Sequence, residues 1–68
     1  MENGWKSVYI SDKMHLAEIV KAVLGDNQIE SVLMDKRDSS YITIGDIEVF
    51  VRQEDAVLAR LIIEQNKL

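Results

Sequence analysis

The sequence predicts an α+β fold in the order strand, helix, strand, strand, helix, with two helices on one face of a three-stranded antiparallel sheet. Three observations predict it. Two segments carry apolar residues at helical spacing. Extended segments rich in β-branched and aromatic residues carry them in alternation, and clusters of Gly, Asp, Asn and Ser separate the segments. With 68 residues and no cysteine, the chain is expected to form a single domain, 1–68, with an ordered core over about 5–65. A domain of this size buries only about 60% of the surface its unfolded chain exposes, so its core is thin and association is a common remedy.

The first strand is "WKSVYIS", Trp5 to Ser11. Strict alternation puts Val8 and Ile10 on one face and Trp5, Ser7 and Tyr9 on the other. Ser11 and Asp12 supply oxygens that suit the start of a helix. That helix, "KMHLAEIVKAVLGD", carries Leu16, Ile19, Val20, Val23 and Leu24 as one apolar stripe with Ala17 beside it. Gly25, Asp26 and Asn27 are expected to end it, because Gly and Asn tolerate left-handed backbone.

A second strand, "IESVLM", runs from Ile29 to Met34, with Ile29, Ser31 and Leu33 opposite Glu30, Val32 and Met34. The polar patch Asp35 to Ser40 follows, then "YITI", Gly45-Asp46 and "IEVFV". Gly45-Asp46 fits either a two-residue hairpin turn or a bulge within one longer strand, and the bulge gives the simpler sheet. In the final segment, "QEDAVLARLIIEQNKL", Glu54 and Asp55 sit where carboxylates favour a helix N-terminus. Ala56, Ala59, Ile62 and Ile63 make the apolar stripe, while Val57, Leu58 and Leu61 add a second apolar side. The whole is a split β-α-β unit with one further helix, a ferredoxin-like layout lacking its last strand, the third strand lying between the first two.

Helices on one side leave the other sheet face open. Ile47, Val49 and Val51 point to the helices, joined by Val8, Ile10, Ile29 and Leu33. The opposite face then carries Trp5, Tyr9, Val32, Met34 and Phe50, the last flanked by Glu48 and Arg52. Aromatic and aliphatic residues on the uncovered side of so small a domain point to an interface with a second copy, most simply a homodimer. The surplus apolar side of the second helix points the same way.

Several pieces in this order resemble one family: "VYIS" at 8–11, "AEIVKAVL" at 17–24, Ile29 opening the next strand, "DSSY" at 38–41, and "IEVFV" followed by "EDAVLA". From Trp5 to Ile63 the chain is similar to a small bacterial family labelled "putative signal-transducing proteins", of unknown molecular function and grouped with PII-like, ferredoxin-like folds. The resemblance implies that fold and a regulatory or ligand-binding role. It also marks two departures: Gln28 stands where such sequences often have Gly, and Arg52 where Pro is frequent.

The residues offer little chemistry. His15 is the single histidine, and Asp12 and Glu18 lie three residues to either side on an exposed helix face. A productive metal or acid-base site needs groups converging in a cavity. Glycines at 4, 25 and 45 form no phosphate loop, and no serine has a positioned base. No enzyme activity, cofactor or metal is expected. The densest polar patch, Lys36, Arg37, Asp38, Ser39, Ser40 and Tyr41, reads first as a strand connection whose Asp and Ser bond local backbone. The alternative is a ligand loop, with Lys36 and Arg37 pairing with phosphate.

The net charge of −4 opposes approach to nucleic acid or anionic lipid, so neither is an expected partner. No leader pattern and no membrane-spanning apolar run appear, and a cytoplasmic protein is expected. The leading functional expectation is a non-enzymatic regulatory or interaction module that self-associates through its open sheet face. The alternative is a metabolite or nucleotide sensor with its site at the 35–41 loop or a subunit boundary.

Overall fold

The computed structural model describes residues 4–36 and 47–68. The elements are β1 (Trp5–Ser11), α1 (Met14–Asp26), β2 (Ser31–Asp35), β3 (Ile47–Arg52), a 3-10 turn (Gln53–Asp55) and α2 (Ala56–Gln65). The strands lie in the order β1-β3-β2, with both pairings antiparallel. This is the predicted ferredoxin-like βαββα arrangement. The smallest extent of the molecule is 14 Å, the thickness of one sheet and one helical layer.

Between these layers the core forms from alternate residues of β3 and one stripe of each helix. Ile47, Val49 and Val51 have no solvent exposure, and neither do Val20 and Leu24 of α1. Burying side chains of this size contributes roughly 1.5–3 kcal/mol each relative to exposure. Ala17, Ala56 and Ala59 are also buried, and their small side chains suit the close approach of α1 to α2.

β1 departs from simple alternation. Its register against β3 runs Trp5 to Arg52, Lys6 to Val51 and Ser7 to Phe50, then resumes at Tyr9 with Val49 and Ile10 with Glu48. Val8 is the extra residue of a β-bulge, and such an insertion exchanges the faces of everything beyond it. Tyr9 therefore shares the face of Val49 and packs against the core, not the open face where alternation puts it. Ile10 takes the open side and is 57% exposed. The expected bulge at Gly45-Asp46 lies outside the described residues, as does "YITI".

Both helices end by the same device. At α1 the side chain of Asn27 donates to the Val23 carbonyl at 2.9 Å, Gln28 N–H to Gly25, and Ile29 N–H to Leu24 at 2.9 Å. At α2 Asn66 donates to Ile62 at 2.8 Å, Lys67 N–H to Glu64, and Leu68 N–H to Ile63. These are Schellman closures, in which one left-handed residue turns the chain and an apolar residue folds back onto the helix. Gln28 (φ 64°) and Lys67 (φ 57°) hold the left-handed positions, rather than the Gly25 or Asn27 expected at the first. The Ile29 amide is committed to the helix, so β2 starts at Ser31 rather than Ile29. Residues 23–29 and 62–68 are thus a local repeat, two apolar residues followed by Asn, a left-handed residue and an apolar anchor.

The start of α1 also differs from expectation. Lys13 is the capping residue and contributes no side-chain bond. Ser11 Oγ instead accepts from the Lys13 N–H at 3.0 Å, one residue ahead of the first helical amide, and Asp12 pairs with Lys13 Nζ at 3.5 Å.

Candidate interface on the open sheet face

No described helix or strand lies over the side of the sheet away from the helices, where Ile10 and Val32 are exposed and Trp5, Met34 and Phe50 half-buried. Strand register arranges it in three rows across β2, β3 and β1. The central row is Val32, Phe50 and Ser7. One outer row is Met34, Glu48 and Ile10. The other is Arg52 and Trp5, with Glu30 preceding β2. Of the five residues expected here, Trp5, Val32, Met34 and Phe50 share this face and Tyr9 does not. Ile10 replaces it, a residue that alternation assigned to the core.

Two ion pairs frame the apolar centre. Arg52 directs Nε and Nη2 to Glu30 Oε1 at 3.1 and 2.9 Å, and its guanidinium lies 5.2 Å from the centre of the Trp5 ring. A cation over an indole face adds a further modest attraction. At the other end Lys36 Nζ donates to Glu48 Oε2 at 2.6 Å. That bond is the main cause holding the Glu48 carboxyl below its ordinary value. The Ser7 hydroxyl helps too: its Oγ has no solvent access and no hydrogen bond of regular geometry among the described residues, yet lies close enough to favour the charged carboxylate. Burial opposes both effects. The Glu30 hydrogen bond pushes Arg52 further up, so it stays charged.

Val57, Leu58 and Leu61 lie elsewhere. They are exposed on the outer side of α2, opposite its buried stripe of Ala56, Ala59, Ile62 and Ile63. Helix and sheet layers separate them from the open face, so they form a second apolar surface and lend that face no support. Ile19 of α1, expected in the core stripe, is 45% exposed.

Of the expected 35–41 ligand loop, Asp35 ends β2 and Lys36 is described, with Glu48 occupying its ammonium group. Arg37, Asp38, Ser39, Ser40 and Tyr41 lie outside the described residues. His15 is exposed on α1. Among the described residues there is no gathering of three or more His, Cys, Asp or Glu side chains, no pocket, and no helix long and apolar enough to cross a membrane.

Fold and face together define a small two-layer α+β domain whose sheet has one partly apolar side that carries no described helix or strand. Residues 5–67 match the family described as "Putative prokaryotic signal transducing protein", and the chain belongs to that family. No curated protein and no solved structure matches it.

Proposed function

We propose that this chain is a non-enzymatic regulatory module that self-associates through the open face of its sheet, acting in signal transduction as its family's description suggests. One observation carries the reading. Trp5, Phe50, Val32, Met34 and Ile10 share one side of the sheet, where Ile10 and Val32 are exposed and the other three half-buried. Sheet faces bearing such residues ordinarily pack against a second layer. The rival reading as a small-ligand sensor is weakened by Lys36, whose ammonium already serves Glu48.

Sedimentation equilibrium at high micromolar concentration tests the proposal. A dimer is expected, and Phe50→Asp should weaken it by roughly 30-fold or more, since central aromatic residues carry about 2 kcal/mol or more in interfaces. A wild-type chain that stays monomeric refutes the reading.

A further inference from the structure

We propose that two copies meet face to face about a two-fold axis that lies in the interface, crosses β3 at Phe50 and runs at roughly right angles to the strands. The proposal rests on the self-association reading and specifies its geometry. Along β3 the open face reads Glu48, Phe50, Arg52: negative, aromatic, positive. The neighbouring strands continue the pattern, with Trp5 beside Arg52, Ile10 and Met34 beside Glu48, and Ser7 and Val32 beside Phe50.

An isologous contact sets the same patch against itself, so the patch must complement its own rotated image. Rotation about the stated axis exchanges the two outer rows and keeps each strand over its own copy. Arg52 then faces Glu48 of the second copy, Trp5 faces its Ile10, and Phe50 faces its Phe50. Glu30 falls over the end of β2 that carries Met34 and Lys36. Opposite charges meet, and apolar residues meet apolar ones. For sheets packed with their strands aligned, the alternative in-plane axis, parallel to β3, brings Arg52 onto Arg52 and Glu48 onto Glu48, and sets Trp5 against the Glu30 side. Like charges so placed are strongly disfavoured. The charge pattern thus selects one arrangement of the two.

The dimensions agree. Residues two apart along a strand are about 6.8 Å apart, and aligned sheets about 10 Å apart cross at about 30°. Facing residues 48 and 52 are then displaced sideways by only about 3.4 Å, within reach of Arg and Glu side chains. The two internal pairs join into one alternating chain, Glu30, Arg52, Glu48 of the second copy and its Lys36, and symmetry repeats it. Arg52 is suited to this, because a guanidinium has five N–H donors and directs Nε and Nη2 to Glu30.

Charge reversal tests the geometry. Arg52→Glu and Glu48→Arg chains, each confirmed folded by circular dichroism, should dimerise about 100-fold more weakly than wild type when alone. In a mixture, the carboxylate introduced in one chain faces the guanidinium introduced in the other. The native Glu48 of the first chain likewise faces the native Arg52 of the second. Native mass spectrometry should therefore show the heterodimer restored to within about tenfold of wild-type affinity. A mixture that associates no better than either variant overturns the arrangement, and so does either variant dimerising like wild type. A monomeric wild type instead removes the self-association reading beneath it. Because the chain has no cysteine, a second measurement stands apart from charge. A bismaleimide spanning about 10 Å should link Trp5→Cys chains to Ile10→Cys chains in a mixture far faster than either to itself, and equal rates contradict the proposal.

Discussion

Replacing Gln28 with glycine should stabilise the protein. Gln28 is exposed and turns the chain out of α1 at φ 64°. An L-residue in this left-handed region is disfavoured by roughly 1–2 kcal/mol, because its Cβ crowds the following carbonyl oxygen. Glycine avoids that crowding but gives back about 0.4–1 kcal/mol through the greater freedom of its unfolded chain. The difference leaves a net gain of about 0.5–1 kcal/mol. At about 2.1 cal/mol/K per residue, unfolding 68 residues releases about 140 cal/mol/K, so the gain raises Tm by about 3–7 °C. Calorimetry should be run at one protein concentration, since association makes Tm concentration-dependent. Gln28→Ala is the control: it keeps the Cβ and should leave Tm nearly unchanged. An alanine variant that rises as far as the glycine variant, or a glycine variant that does not rise, would refute the left-handed closure.

The β1 bulge makes a paired prediction: Tyr9→Ala should cost about 2–3 kcal/mol, somewhat less than a fully buried aromatic, while Ile10→Ala should cost under about 1 kcal/mol. Urea midpoints at a concentration where the chain is monomeric would show it, and a reversed order would restore plain alternation. Glu48 makes a prediction about acid. Its carboxyl is held below the ordinary glutamate value, chiefly by the Lys36 hydrogen bond. Its contribution should therefore be fully present above the unfolded-state value and be lost as pH falls through the lower folded-state value. Glu48→Gln should flatten that part of the curve of urea midpoint against pH, and a parallel curve would contradict it.

Where periodicity runs unbroken, the fold is legible in the residues themselves. Ile47, Val49 and Val51 alternate with polar or outward residues, and the helical spacing of Val20 and Leu24 identifies the buried stripe of α1. Tyr9 and Ile10 were not legible because the bulge has no residue signature. Val8 suits a regular strand as well as an extra residue, and one inserted residue inverts the parity of everything after it. Gln28 was missed because glycine and asparagine are the usual left-handed residues. A signal did exist, in the likeness of residues 23–29 to 62–68, where Asn stands four residues after the first apolar position of each set. On the open face, Trp5, Val32, Met34 and Phe50 followed from alternation. The rows of charge did not, since pairing Arg52 with Glu30 and Glu48 with Lys36 depends on how β2 aligns with β3.

The bulge has one more consequence, for how the sheet meets other chains along its rim. Among the described strands β1 lies at an edge, and an edge offers free backbone donors and acceptors to any extended segment that arrives. Here the extra Val8 breaks the regular spacing of those groups. From α2, Arg60 reaches across with Nη2 3.4 Å from the Ser7 carbonyl oxygen, claiming one of the acceptors an incoming strand would need. Lengthening of the sheet into a fibre by strand addition is obstructed on this side.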